Sequence, residues 1–308
     1  TTDASGRVTG LDLVAEHGSH ARRTVSADDV VVAAGAVESA RLLLASATER
    51  EPTGLGNAHD QVGRHLQGHL YGGAIGIFDD EVCDLVGPGP SISTHEFRHG
   101  NEGLVGGGML ANEFVPTPVS TFAYLRQAGL IPPHGLAAKQ GMRHLLRRTQ
   151  RIVGPVQEMT SAESRVRLDP IVVDGLGIPV ARLSGEAHPN DLAAQQMMGE
   201  RAAEWLRSAG ASTVVAYGPS PRTTVSSGQH QAGTCRMGTD PASSVTDPYG
   251  RVWGHPNLRV VDGSLNVTNG GVNPVLTIFA NAFRIMHEWV GSGRGYVPDG
   301  SASEGLPT

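Results

Sequence analysis

The chain of 308 residues holds only two cysteines, Cys83 and Cys235. No disulfide framework organises it, and a reducing, cytoplasmic setting is the expectation. No apolar run approaches the roughly 20 residues of a membrane span, so no membrane partner is expected. The opening residues, TTDASGRVTG, are polar and lack the hydrophobic core of a signal peptide. A basic surplus is missing too: 24 Lys and Arg stand against 30 Asp and Glu, a net charge of −6. That balance offers no face to displace phosphate counterions and argues against a nucleic-acid partner. Also absent is G-x-G-x-x-G behind a strand, the turn that lets backbone meet a dinucleotide pyrophosphate. GSGRGY (291–296) follows a helical pattern instead, and GLVGGGM has the wrong spacing.

What is present suits a folded α/β chain. Hydrophobic residues make up 39%, enough for a buried core, and 41 glycines imply many turns and close backbone approaches. Val30 to Ala34 is a short, β-branched apolar run that predicts a strand buried on both faces. Gly35 ends it, and VESARLLLAS continues with helical spacing. LYGGAIGIF (70–78) reads as a strand, and 86–117 as irregular. A basic helix is expected over 137–153. RVRLDP and PVARLSG alternate like strands around a VDGLG turn. The clearest helix starts near Asn190, a plausible N-cap, and stops at Gly210. The last helix spans about Pro274 to Val290, with Pro in its first turn.

The chemistry concentrates in 230–284. His230 precedes a Gly-rich turn; the strand LRVV ends in Asp262-Gly263-Ser264; a Gly-Gly loop carries Asn273 into Pro274 and a helix. A helix N-terminus presents unpaired N–H groups and a positive dipole, suited to an anion. His230 and Asn273 brought together there would supply a proton acceptor and a hydrogen-bond donor. On spacing alone, a His in a Gly-rich loop and an Asn before Pro are common structural features.

Five linked segments in order sharpen the reading: His230–Gly238 (HQAGTCRMG), Val245–Asp247, Arg251–Gly254, Asn257–Ser264 (NLRVVDGS) and Asn273–Thr277. Together they resemble the C-terminal signature of the glucose–methanol–choline (GMC) oxidoreductases. VVVAAGAVESARLLLAS resembles that family's second flavin-contacting segment, and GNAHDQVGRHLQGH (56–69) the loop after it, with Gln67-Gly68 departing from the usual pattern. RVRLDPIVVDGLGIPVARL resembles the substrate-domain hairpin of the pyranose-oxidase-like branch, whose His–Asn pairing also matches. The resemblance covers roughly residues 5 to 291.

The resemblance implies FAD as cofactor and His230 with Asn273 as the catalytic pair. It implies cofactor contacts from Ala34, Gly35, Ala36, Ser39, Asp262, Gly263, Asn273, Pro274 and Thr277. For Asp262, capping the Gly263 turn is the structural alternative. No metal is implied. His65 and His69, four apart but Gly-flanked, read as structural, Cys235 as a packed small residue, and His95 in STHEF as unrelated to flavin attachment. The expected fold is α/β with an incomplete FAD-binding lobe (1–70 and 230–291), an antiparallel-sheet substrate domain with helices on one side (71–229) and a flexible tail (292–308). The expected substrate is a sugar or glycoside. The expected partner is a complementary N-terminal FAD-binding chain or segment, with room for a higher oligomer. Rival readings are a non-catalytic substrate-domain subunit and a flavin-free carbohydrate-binding protein.

Overall fold

The computed structural model describes residues 1–14, 21–87, 89–113, 117–219 and 229–292. The expected tail falls outside these residues except at Ser292. In chain order, β1 (Gly10–Val14) and β2 (Arg22–Ser26) form an antiparallel hairpin. It is followed by β3 (Val30–Val32) and α1 (Gly35–Ala45). Next come β4 (Tyr71–Ile77), β5 (Ser93–Thr94) and β6 (Leu110–Asn112). Helices α2 (Pro118–Gln127) and α3 (Gly135–Leu145) precede β7 (Thr149–Pro155). The hairpin β8 (Arg165–Val173) and β9 (Pro179–Ser184) leads to α4 (Pro189–Ser208) and β10 (Thr213–Tyr217). Strand β11 (Leu258–Val260) and helix α5 (Val275–Gly291) end the described chain.

Two cores result. In the first, β3 pairs in parallel with β11, Val30 opposite Leu258 and Val32 opposite Val260. Segments some 230 positions apart thus share one hydrogen-bonded ladder. Val30, Val32, Leu43, Leu55, Leu258, Val260 and Ile285 bury together there. Each large aliphatic side chain so buried stabilises by about 1.5–3 kcal/mol. The β8–β9 hairpin joins this core through Val166. Arg41 of α1 clamps its turn by donating to Asp174 at 2.6 Å and to the Pro179 carbonyl at 2.8 Å.

The second core surrounds an antiparallel sheet of order β10-β4-β7-β6-β5. Successive β4 side chains alternate faces. Ala74 packs with Ala194, Met198 and Leu206 of α4 on one side, while Ile75 and Ile77 pack with Leu125 of α2 and with Ile131 on the other. Helices therefore cover both faces, not one.

Other expectations shift locally. The basic helix stops at Leu145, and Thr149–Pro155 is a central strand instead; pairing on both edges overrides a helical charge pattern. Strand β3 ends at Val32, and only its Val30/Val32 face is buried; Val31 is 40% exposed. His188, not Asn190, caps α4, because Pro189 takes the first helical position and the His188 ring accepts from the Asn190 N–H at 3.1 Å. Asn190 instead uses its amide on both backbone groups of Val105.

Candidate active site

The site is built where the loop before β4 meets the turn after His230. Gln67 and Ala232 exchange backbone hydrogen bonds at 3.0 and 2.9 Å. Gly233, at φ +94°, permits the approach: a Cβ there would lie 2.1 Å from the His65 carbonyl oxygen. This seam carries His69 and Tyr71 to His230.

His230 itself sits at φ +69°, a left-handed conformation that costs a non-glycine residue about 1–3 kcal/mol and persists only where surroundings enforce it. The side-chain amide of Asn269 donates to the His230 carbonyl and, at 3.1 Å, to that of Gly68. The Asn269 backbone N–H donates to Gln67 Oε1 at 3.1 Å. Tyr71 Oη lies 3.3 Å from His230 Nδ1. The His69 ring meets the His230 ring edge-on with centroids 5.2 Å apart. His69 Nδ1 lies 2.9 Å from the Val156 carbonyl, which can only accept, so Nδ1 carries the proton and Nε2 faces Asn269.

Burial disfavours charge throughout. It pushes His69 down to about 4. It lowers His230 below the ordinary histidine value, and raises the Tyr71 hydroxyl. His230 is therefore neutral near pH 7, with Nδ1 beside Tyr71 and Nε2 without a hydrogen-bond partner among the described residues. In the tautomer whose Nδ1 carries the ring hydrogen and donates it to Tyr71 Oη, this neutral, half-buried imidazole leaves Nε2 able to accept a proton.

Of the implied cofactor contacts, four form one cluster. The carboxylate of Asp262 accepts from the Gly35 N–H at 3.0 Å and the Ser39 hydroxyl at 2.5 Å, and its other oxygen accepts from the Ser264 N–H at 2.8 Å. Ser39 Oγ in turn accepts from the Ala34 N–H at 3.1 Å. Asp262 thus caps the turn after β11 and ties it to the start of α1. The Ala36 carbonyl accepts from Thr234, linking the same turn to the His230 segment. A Cβ on Gly263 would lie 3.1 Å from the Gln231 carbonyl oxygen. At Gly35, φ +83°, the position of a Cβ is open space. Pro274 is the N-cap of α5 with no side-chain cap, and Asn273 and Thr277 beside it are exposed.

Among the described residues no hydrogen bond joins Asn273 to His230, and Asn269, four residues before Asn273, holds the His230 backbone. Neither Asn269 nor Tyr71 stands out by spacing. The signal was indirect: Tyr71 alternates with His69 entering β4, so the two flank one face. His65 lies in a loop at φ +61°, not on a helix, and among the described residues no three His, Cys, Asp or Glu side chains converge as metal ligands. Cys235 is fully buried and pushed up to about 12 by burial, an inert thiol. His95 follows the edge strand β5 and is exposed. No helix among the described residues is long and apolar enough to cross a membrane.

Two profiles described as GMC oxidoreductase match residues 2–71 and 160–282. The chain is 32% identical over 91% of its length to a 2-methyl-1,2-propanediol dehydrogenase of Mycolicibacterium austroafricanum, covering 50% of that protein. It is 34% identical over 92% of its length to a paromamine 6'-oxidase of Streptomyces fradiae, covering 48% of it. The chain therefore spans about half the length of the curated relatives it matches. Its fold is that of pyridoxine 4-oxidase from Mesorbium loti, with a TM-score of 0.58 at 18% identity, over 93% of this chain and 55% of that one. With both profiles matched in order, and the strands they contribute paired as β3 and β11, the chain belongs to the GMC oxidoreductase family, whose cofactor is FAD.

Proposed function

We propose that this chain is the base-carrying part of an FAD-dependent enzyme that oxidises a secondary alcohol of a sugar or glycoside. The observation that carries the reading is the neutral His230, held in a strained conformation with one ring nitrogen free. Strain of this kind is retained where it serves a site.

FAD, when bound, supplies the hydride acceptor. The chain's own features fit an anionic, ring-bearing group. The uncapped N-terminus of α5 leaves first-turn N–H groups without intrahelical acceptors. At the head of α1, the Gly35 turn is open. His230 Nε2 takes the hydroxyl proton as the carbinol carbon gives up its hydride, so the alcohol loses both and leaves as the ketone. Tyr71 at Nδ1 fixes the ring's orientation, and Asn273 at the head of α5 orients the hydroxyl. Assistance by a general base is worth about 10²–10⁴-fold.

The absent G-x-G-x-x-G turn assigns pyrophosphate binding to a complementary N-terminal segment or polypeptide. Its docking face is the outer side of α5, where Leu276, Phe279 and Phe283 are 82%, 59% and 77% exposed at helical spacing. The sugar-type substrate rests on the resemblance of the β8–β9 hairpin to the pyranose-oxidase-like branch. The test is anaerobic mixing of the flavin-loaded assembly with hexoses and small diols, following bleaching of flavin absorbance. Bleaching by alcohols that His230→Ala slows by two or more orders of magnitude is expected. A flavin-free assembly, or bleaching indifferent to His230→Ala, would overturn the reading.

A further inference from the structure

The net charge of −6 conceals a division along the chain. Residues 114–157 contain no Asp or Glu and six Lys or Arg, so the other 264 residues hold 18 Lys and Arg against all 30 acids. In the fold, α2 and α3 of this segment cover the face of the antiparallel sheet opposite α4. On α3, Ala138, Met142 and Leu145 turn towards that core. Leu136, Lys139 and Arg143, spaced three and four apart, share the outer face and are exposed. Neither Lys139 nor Arg143 has an ion-pair partner among the described residues.

At the C-terminal end of α3 the sign reverses. The turn after β4 carries Asp79, Asp80, Glu81 and Asp84, all exposed. It is stitched to the chain just after α3. The backbone N–H groups of Val82 and Cys83 donate to the Arg147 carbonyl at 2.9 and 3.1 Å, and Arg147 pairs with Glu81 at 3.3 Å. Asp79, Asp80 and Asp84 make no ion pair among the described residues. From Lys139 to Arg147 the helical rise covers only about 12 Å, so cationic and anionic halves adjoin on one surface. Between the turn, β6 and β7 opens a groove of about 600 Å³, lined by Glu81, Val82, Asp84, Val86, Asn112 and Arg147. Val82 and Val86 are 40% and 76% exposed there, and Leu136 is 71% exposed on the basic half.

Such a surface is complementary to itself. After a half-turn the basic half of one copy faces the acidic half of another, and the reverse holds at the same time, as a two-fold contact requires. An anionic polymer or lipid surface drawn to Lys139 and Arg143 would instead meet the neighbouring carboxylates, which repel it. Exposed ion pairs are individually weak. Charge therefore sets register and choice of partner, while Leu136, Val82 and Val86 supply the apolar burial.

We propose that this face is a two-fold interface between copies of this chain, in which Leu136, Lys139 and Arg143 of each protomer seat in the acidic groove beside Asp80 and Asp84 of the other. No group at the His230 site takes part, so the interface stands or falls apart from the alcohol-oxidation reading.

The test is sedimentation of the flavin-loaded assembly, in which the α5 face is covered, over a range of concentration and salt. Twice the mass of one assembly is expected at low salt. The mass should fall towards one assembly as salt rises, because ions screen exposed charges beyond about 10 Å at 0.1 M. Salt does not weaken apolar burial, so residues 1–308 alone should show the same step as the salt-sensitive part of their self-association. Lys139→Glu with Arg143→Glu, and separately Asp80→Lys with Asp84→Lys, should each raise the dimer dissociation constant about tenfold or more. An equimolar mixture of the two variant proteins should restore dimers, since each altered half then meets an altered half of opposite sign. Wild-type melting temperatures show that folding is kept. Asp84 also accepts from the Val86 N–H at 2.9 Å, and if its replacement misfolds, Asp80→Lys alone takes its place in the mixture. A wild type monomeric at every concentration, a dimer indifferent to both reversals, or a mixture that stays monomeric overturns the interface. So does a monomeric wild type that sediments with phosphatidylglycerol vesicles through Lys139 and Arg143, which would assign the face to a lipid surface. Whether alcohols bleach the flavin is read separately and changes none of these outcomes.

Discussion

The side-chain amide of Asn269 donates to the backbone carbonyl of His230, whose own φ is +69°. A residue in the left-handed region has cheaper alternatives, and this hydrogen bond, with the Gln67–Ala232 seam, removes them. Replacing Asn269 by Ala leaves the buried carbonyl of Gly68 and the part-buried carbonyl of His230 unmatched, so the fold should lose about 1–3 kcal/mol. With His230 free to relax, kcat should fall tenfold or more, while the pH profile keeps the His230 ionisation. Urea unfolding and steady-state rates check both; wild-type kcat in Asn269→Ala would remove its positioning role.

His230→Ala and Asn273→Ala should differ in degree. The first removes the proton acceptor, and kcat should drop by about two orders of magnitude or more. The second removes a group that only orients the hydroxyl, and its loss should be smaller. Neither should move the unfolding midpoint much, since His230 is half-buried and Asn273 exposed. A loss for Asn273→Ala equal to that for His230→Ala would make the asparagine an equal partner in proton removal.

Activity and stability should respond to acid through different histidines. His230 must be neutral to accept a proton, and burial lowers it, so kcat/KM should rise through an ionisation below the ordinary value of about 6.5 and then level. His69 is held near 4 in the fold against about 6.5 unfolded. Between those values the unfolded chain binds the extra proton. The stability contributed is therefore complete above pH 6.5 and is lost as pH falls towards 4, at most about 3 kcal/mol. Unfolding midpoints from pH 7.5 to 5 should fall, and less steeply in His69→Gln. Equal slopes in both proteins would remove His69 as the cause.

The exposed α5 face makes a prediction about solution behaviour. Residues 1–308 expressed alone should self-associate through Leu276, Phe279 and Phe283. Coexpression with a polypeptide carrying G-x-G-x-x-G should give a defined, flavin-loaded complex. Phe283→Lys should relieve self-association and weaken that complex together. Size-exclusion chromatography with flavin absorbance decides, and a monodisperse, flavin-loaded, active monomer would refute the idea.

Local sequence was enough for elements whose signals are local. A strand within the Val30–Ala34 run, though shorter than the run, the alternation of β8 and β9 about a Gly turn, and Pro274 at the head of α5 all appear where spacing and turn chemistry put them. Residue order also identified the family, because five short segments kept their sequence. Long-range contact decided the rest. Strand β7 carries a basic pattern that reads as helix, and becomes a strand because β4 and β6 offer it two edges. Asp262 looks like a cofactor contact or a turn cap, and only the fold brings Gly35 and Ser39 to its second oxygen. His230 stood out by its motif, whereas Asn269 and Tyr71 gained their places through hydrogen bonds between segments 39 and 159 residues apart. Periodicity records which face of an element is buried, but which distant backbone group a side chain satisfies is settled only when the chain closes on itself.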